Sequence, residues 1–414
     1  MVEREEKFMR IGVVGLGYIG SVTSVALAEA GYEVVGIDID ELKVKSLSDG
    51  EPPIYEPGLK KMLLKNSKKL TFSVDYSELK EVNYIFVIVP TPNKDGKIYL
   101  KYVEDAVDSI RKINKNAIVI IKSTILPGTA SNLMKKTGMT IISNPEFTKE
   151  GTAIEDTLKP DRIVIGGKDK KAIEGVKKIW EFTNCPIIET TNENAEMIKY
   201  ASNAFLAVKV SYINEMANLC EKVPDCDVEV VARGMGLDKR IAPYFLKAGI
   251  GFGGSCFPKD TTAFISFAKD IGENLSIIES AVNVNKNRIL RIIDLLEDKF
   301  SGSEKNVRVG VLGLTFKANT DDTRESQAVK LVEKLLSIGF KVNAYDPMAK
   351  IKLENVKLFN SAKECIENSD AVVIATEWPE FRELDIRTDK FVIDMRRILS
   401  LNSNSNLKIV GHYG

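Results

Sequence analysis

Marked by apolar and polar positions, the chain opens with short apolar runs separated by stretches of helical period. From Arg10 to Asp40 it reads as an apolar strand, a glycine turn, a helix-period segment closed by Gly31 and a second strand closed by Asp38, which is one β-α-β unit. Further apolar runs, YIFVIV at Tyr84 and AIVIIKST at Ala117, extend the pattern. Strands that are apolar almost throughout predict a parallel sheet covered on both faces. Between about Thr191 and Phe300 the strand pattern stops. Met197, Ala201, Phe205, Val208, Tyr212 and Met216 recur at helical spacing and predict one long helix opening a helical middle domain.

Strand and helix patterns then alternate again in NVRVGVLGLTF, SQAVKLVEKLLSIG, FKVNAYDP, SDAVVIATEW and KFVIDMRR. This half echoes the first, with Gly339 in the helix-ending place of Gly31 and Asp346 in the strand-ending place of Asp38. Where the first half has Gly15, Gly17 and Gly20, however, the second has Gly310 and Gly313 followed by Leu314, Thr315 and Phe316, so it should not form the same phosphate-binding turn. The expected fold class is α/β: two Rossmann-like doubly wound parallel-sheet domains, 1–192 and 303–414, joined by a helical middle domain, 193–302, with Ser301 to Asn306 as the linker.

Charge removes some functions. With 58 basic and 58 acidic residues and no basic block, nothing favours nucleic acid as a partner. The opening is charged and the longest apolar runs are strand-sized, well short of the ~20 residues that span a bilayer, so a cytoplasmic protein is expected. Five cysteines at irregular spacing argue against a disulfide framework and a structural metal. The single histidine, His412, lies near the chain end, so a histidine-based triad is not expected and any acid or base must be Lys, Asp, Glu, Tyr or water.

Two motifs carry chemistry. GLGYIG places Gly15, Gly17 and Gly20 around Tyr18 and Ile19 between a strand and a helix. The first glycine permits the turn, the second lets backbone approach a pyrophosphate and the third lets helix pack on strand. Asp38, ending the next strand, suits an adenosine ribose and repels a 2′-phosphate, which points to NAD rather than NADP. Lys43 either reaches toward the same cofactor half or belongs to a solvated helix face. The second motif is GFGGSCFPKD, Gly251 to Asp260. Cys256 there is either a small buried hydrophobe or a nucleophile, its thiolate favoured by Lys259 or by a helix beginning with Asp260 in the cap position. A nucleophilic cysteine beside NAD would have a specific use. Oxidising an aldehyde to an acid proceeds through a thiohemiacetal and a thioester, whereas oxidising an alcohol needs no covalent step.

These two motifs, with EPGL at Glu56, STILPGT at Ser123, NPEFTKEGTAIED at Asn144 and LTFKANTDDTRES at Leu314, resemble the UDP-glucose/GDP-mannose dehydrogenase family in order over nearly the whole chain. The resemblance implies a two-step oxidation of a sugar nucleotide, UDP-glucose foremost, by two NAD⁺ and one water. It implies Cys256 as nucleophile, Asp260 and Thr124 holding water, Lys199 and Asn203 stabilising oxyanions, and Glu146 as the candidate base for thioester hydrolysis. The base of the first oxidation is left between a water held by Asp260 and Thr124 and a neutral Lys199. Pro90, Thr91, Thr124, Glu150 and Arg324 are implied at the cofactor. Phe147, Tyr244, Lys247, Gly251, Phe252, Gly253, Phe316, Lys317 and Arg396 are implied at the sugar nucleotide. Arg240 matches an arginine lent to a neighbouring subunit, and the long helix carries more apolar positions than one copy needs to bury, so a homodimer is expected. GDP-mannose is the alternative substrate. Ser255 and PKDT disfavour the acetamido sugars, and an inactive sugar-nucleotide-binding regulator is disfavoured because Cys256, Lys199 and Asp260 are all present.

Overall fold

The computed structural model describes residues 9–94, 96–384, 390–399 and 406–413, and the charged opening, 1–8, lies outside them. The chain folds as two compact units, Met1–Ala201 and Ser202–Gly414.

In the first unit, β1 (Arg10–Val14), β2 (Glu33–Ile37), β3 (Leu70–Ser73), β4 (Tyr84–Val87), β5 (Ile118–Ile121), β6 (Ile141–Ser143), β7 (Ile163–Gly166) and β8 (Ile187–Thr190) form one sheet in the order β8-β7-β6-β5-β4-β1-β2-β3. The apolar runs place side chains on both faces. Ile11, Val13 and Phe86 pack into a core with Trp180, while Val14, Val35 and Val87 pack into a second core on the other side. One departure from the expected parallel sheet is found: β6 and β7 meet antiparallel at Ser143 and Gly166. Apolar runs buried on both faces carry no signal of direction, so the reversal leaves no mark in the sequence pattern.

The second unit begins within α2 (Asn192–Cys220), a 29-residue helix. The predicted stripe along it is largely outward: Phe205 is 64% exposed, and Met197 and Tyr212 are exposed as well. The face turned inward carries Glu196, Lys199, Asn203, Ser211 and Asn214 among Tyr200, Ile213 and several alanines. Cys220 is bonded to Cys226, a single local bridge, while Cys185, Cys256 and Cys365 take no part in a disulfide. After α3 (Phe257–Asp270) and α4 (Ser276–Phe300) comes a fully parallel sheet of β9 (Arg308–Leu312), β10 (Lys341–Tyr345), β11 (Val356–Leu358), β12 (Ala371–Ile374), β13 (Phe391–Asp394) and β14 (Leu407–Ile409), in the order β11-β10-β9-β12-β13-β14. Its strands share one core with the helices, in which Ile213, Ile292 and Leu296 pack with Val309, Val311 and Leu331. Among the described residues no helix is long and apolar enough to cross a membrane.

Candidate active site

The glycine turn after β1 leads directly into α1 (Tyr18–Glu29). Gly15 has φ +95°, and a Cβ there would lie 2.3 Å from the Ile88 carbonyl oxygen; a Cβ at Gly20 would lie 1.8 Å from that of Gly15. Strand, turn and helix therefore fit only without those side chains. Gly17 differs, because a Cβ there would meet nothing within 4 Å. It is the N-cap of α1, with no side-chain cap, so open space fronts the unpaired N–H groups of a helix N-terminus. Asp38 is buried. Its Oδ2 accepts from the Leu16 N–H at 2.7 Å and from Lys43 Nζ at 3.0 Å, and among the described residues its Oδ1 accepts only from the Asp40 N–H. Of the roughly four acceptor sites on a carboxylate, room is left on Oδ1 for a ribose hydroxyl. Lys43 thus binds Asp38 and is not a merely solvated side chain. These features fit a dinucleotide at the carboxyl ends of β1 and β4, where the strand order reverses. Thr91 is buried and Pro90 exposed beyond β4. Ile19, in the first turn of α1, packs against the core. The Tyr18 hydroxyl donates to Glu56 of EPGL and accepts from the Gly151 N–H, one residue past Glu150.

The second half repeats the scaffold without the site. Gly313 follows β9 at φ +91°, where a Cβ would lie 2.3 Å from Thr376, but the next helix, α5 (Gln327–Ser337), starts only at Gln327. Asp346 is saturated. It accepts from the N–H groups of Leu314, Thr315, Met348 and Ala349, from the Thr315 hydroxyl and from the Trp378 indole.

The first unit also gathers a charged cluster. Lys199 Nζ donates to Glu146 Oε1 and to its carbonyl, both at 2.7 Å, and Glu146 Oε2 accepts from the Thr148 N–H and hydroxyl. Burial alone would raise the Glu146 pKa, but Lys199 outweighs it and, with Thr148, holds the carboxyl at about 2. Lys199 also lies 5.5 Å from the centre of the Phe147 ring, whose face carries the Arg162 guanidinium at 3.7 Å. Thr124 lines a cavity of about 10 Å³ with Ser123, Ser143, Glu196 and Lys199, room for a single water. Thr124 is not the cap of the following helix, since Gly128 holds that place.

Two buried groups here escaped the sequence reading. Lys122 is 4% exposed, its ammonium over the Trp180 ring at 4.7 Å, and burial pushes its pKa down to about 8 despite Glu146 nearby. Glu196 accepts from the N–H groups of Gly128 and Ala130 and from the Ser143 hydroxyl, yet burial pushes it up to about 7. The available signal was position: Lys122 directly precedes Ser123 and Thr124, and Glu196 lies one helical turn before Lys199.

In the second unit, Cys256 is the N-cap of α3, half-buried, with Pro258 in the first turn. The helix therefore begins earlier than expected, and Asp260 lies inside its first turn, donating its own N–H to the Cys256 carbonyl at 2.8 Å. Proline fits that early position because its missing N–H is one the helix end leaves unpaired anyway. The Asp260 carboxylate is 1% exposed and held between Lys259 Nζ at 2.6 Å and Asn203 Nδ2 at 2.7 Å. The glycines before Cys256 also meet close protein neighbours. A Cβ on Gly253 would lie 2.4 Å from the Glu325 carbonyl oxygen, and one on Gly254 would lie 2.8 Å from the Phe316 ring. The loop is pressed against LTFKANTDDTRES, with the Gly254 N–H donating to the Arg324 carbonyl. Arg396 sits beside Gly249 and bonds Glu377 and the Phe316 carbonyl, while Lys317 lies over the Phe316 ring. Phe252 is buried; Lys247 and Tyr244 are exposed. Arg240 and Arg324 are exposed and pair with Asp238 and Asp322. Among the described residues no group of three or more His, Cys, Asp or Glu is placed to hold a metal ion.

A glycine turn meeting a helix N-terminus, with an acid at the end of the neighbouring strand, defines a dinucleotide-binding protein of the Rossmann class. The chain belongs to the UDP-glucose/GDP-mannose dehydrogenase family: its NAD binding domain matches residues 9–184, its central domain 193–287 and its UDP binding domain 310–401. The UDP-glucose 6-dehydrogenase TuaD of Bacillus subtilis is 41% identical over 95% of this chain and 90% of its own. The UDP-glucose 6-dehydrogenase AglM of Haloferax volcanii is 40% identical over 95% of this chain and 97% of its own. A UDP-glucose dehydrogenase structure from Pyrobaculum islandicum superposes with a TM-score of 0.93 at 37% identity, covering 100% of this chain and 99% of that one.

Proposed function

We propose that the protein oxidises the C6 alcohol of UDP-glucose twice to give UDP-glucuronate, with Cys256 as the covalent nucleophile. The observation that carries this reading is the place of Cys256, at the N-cap of a helix whose first turn holds a buried, doubly bonded carboxylate, Asp260. Negative charge is favoured at a helix N-terminus, which suits a thiolate without any histidine. The alcohol is first oxidised to the aldehyde. The thiol then adds to give a thiohemiacetal, whose oxidation leaves a thioester, and water cleaves it to release the acid and free Cys256. One sugar nucleotide, one water and two NAD⁺ give one uronate, two NADH and three protons. NAD⁺, when bound, accepts the hydride of each oxidation.

Asp260 orients water through the carboxylate that Lys259 and Asn203 hold, and Thr124 offers a hydroxyl to the same end. Lys199 and Asn203, one turn apart on α2, supply donors for the oxyanions of the thiohemiacetal and of hydrolysis. Glu146, at about 2, is a weak base while Lys199 holds it; it gains strength when the ammonium turns to an oxyanion instead. Thr91, Glu150 and Arg324 serve the cofactor. Phe147, Tyr244, Lys247 to Gly254, Phe316, Lys317 and Arg396 grip the sugar nucleotide.

UDP-glucose is favoured over GDP-mannose and the acetamido sugars by the relatives named for it and by Ser255 with PKDT. The outward apolar stripe of α2 supports a homodimer, with Arg240 lent to the neighbouring copy, and the reading includes a cytoplasmic location. The test is Cys256→Ser with NADH counted per sugar consumed. Wild type should give two NADH per sugar; the variant should bind UDP-glucose and NAD⁺ but release no free acid. Full uronate production by the variant would overturn the covalent route.

A further inference from the structure

The segment that leads into Cys256 has no regular structure of its own, yet its backbone is held at fixed points by buried amide and guanidinium groups. Phe252 is the centre. Its N–H donates to Asn285 Oδ1 at 2.7 Å, and its carbonyl accepts from Asn285 Nδ2 at 2.9 Å and from Gln327 Nε2 at 3.0 Å. The Asn285 carboxamide thus stands in for the neighbouring strand that this backbone lacks, pairing donor with acceptor and acceptor with donor. Three residues earlier, the Gly249 N–H donates to Asn214 Oδ1 at 2.8 Å and the Gly249 carbonyl accepts from Arg288 Nε at 3.0 Å. Asn214, Asn285, Arg288 and Gln327 are all at most 5% exposed.

Gly251 shows what this arrangement demands. It has φ +113°, and a Cβ there would lie 2.5 Å from Asn285 Oδ1. The amide occupies the space a side chain would fill, so Asn285 by itself requires glycine there. A polar side chain this deeply buried is costly unless fully bonded, and the carboxamide of Asn285 spends both its functions on one residue of the loop.

We infer that Asn285 is a positioning residue for the sugar-nucleotide loop: by bonding both backbone groups of Phe252 it fixes the loop that presents Cys256. This rests on the reading that the backbone from Lys247 to Gly254 grips the sugar nucleotide. Asn285 and the loop it bonds belong to the second unit, whereas the cofactor turn belongs to the first, so its effect should fall mainly on the sugar nucleotide.

The test uses the full chain with Asn285→Ala and Asn285→Asp, the latter keeping the size and the acceptor but losing the donor to the Phe252 carbonyl. Each variant is assayed for kcat and KM with UDP-glucose, for NAD⁺ binding by fluorescence quenching, and for amide hydrogen exchange in the peptide covering 247–256. Both variants should raise the KM for UDP-glucose on the order of tenfold or more, the cost of an unmade buried hydrogen bond at about 1.4 kcal/mol per factor of ten, with NAD⁺ affinity changed less than about twofold. Exchange in 247–256 should quicken at least about tenfold while peptides of β1 and α1 keep wild-type protection. Unchanged exchange in 247–256 would overturn the proposal, as would a loss of NAD⁺ affinity equal to that for UDP-glucose. If wild type turns over no UDP-glucose, the substrate reading fails, and the exchange measurement still decides the role of Asn285.

Discussion

Replacing Lys199 by alanine tests the charged cluster of the first unit quantitatively. Holding Glu146 at about 2 instead of its ordinary 4.5 corresponds to about 3 kcal/mol of favourable interaction with the ionised carboxyl. Because the folded pKa lies below the unfolded one, this stabilisation is fully present above pH 4.5 and is lost as pH falls from 4.5 toward 2. Without Lys199 the carboxylate stays buried, with the two bonds from Thr148 and the more distant Lys122 to support it. Removing one partner of a buried ion pair costs about 3–5 kcal/mol, so Lys199→Ala should destabilise by that much at pH 7. Burial then has only the Thr148 bonds and Lys122 against it and should push the Glu146 pKa up past its ordinary value. The variant should recover stability relative to wild type as pH falls from about 7 to about 5. Adding Glu146→Gln to Lys199→Ala removes the stranded charge and should restore about 1–2 kcal/mol. The assay is the urea unfolding midpoint of wild type, both variants and the double variant at pH 5, 6, 7 and 8. A cost below about 1 kcal/mol for Lys199→Ala, or no recovery on adding Glu146→Gln, would refute the coupling.

Gly17→Ala should fold with its melting temperature within a few degrees of wild type while weakening NAD⁺ at least about tenfold, because its Cβ enters open space; Gly20→Ala, whose Cβ would meet the Gly15 carbonyl, should fail to accumulate as folded protein, seen by thermal melts and NAD⁺ titration. Glu196, raised to about 7, makes the folded state bind a proton more readily than the unfolded chain, so its contribution to stability falls as pH rises from 4.5 to 7; Glu196→Gln should flatten that part of the unfolding profile. Phe205→Glu, on the exposed stripe of α2, should shift the mass measured by light scattering from dimer to monomer without lowering NAD⁺ affinity.

The parts of this fold legible in the sequence were those written in local pattern. The strand, turn and helix around Gly15, Gly17 and Gly20 follow from steric needs of adjacent residues, and the length of α2 follows from helical periodicity. Its inward face did not. Lys199 and Asn203 are buried because Glu146 and Asp260, 53 and 57 residues away in the chain, accept their donors. Asn285 and Arg288 were invisible for the same reason, since their partners are backbone groups of a loop more than thirty residues earlier. Gly253 and Gly254 also meet neighbours that the sequence did not reveal. Phe316 and Glu325, more than sixty residues later, stand where their side chains would go. Lys259 could not be assigned from its neighbours alone, and its ammonium is bonded to the adjacent Asp260.

The two acids that close corresponding strands show how a duplicated scaffold can lose a ligand without losing its shape. Asp38 and Asp346 each accept a leucine N–H from the turn at 2.7 Å, Leu16 in one half and Leu314 in the other. Asp40 and Met348, two residues on, donate alike to the two acids, and in the second half the donors a cofactor ribose would have provided come from Thr315, Trp378 and Ala349. The protein has become its own ligand there. Restoring a dinucleotide to that half would mean withdrawing those internal donors as well as adding glycines, so the specialisation of the two halves resists reversal by any single substitution.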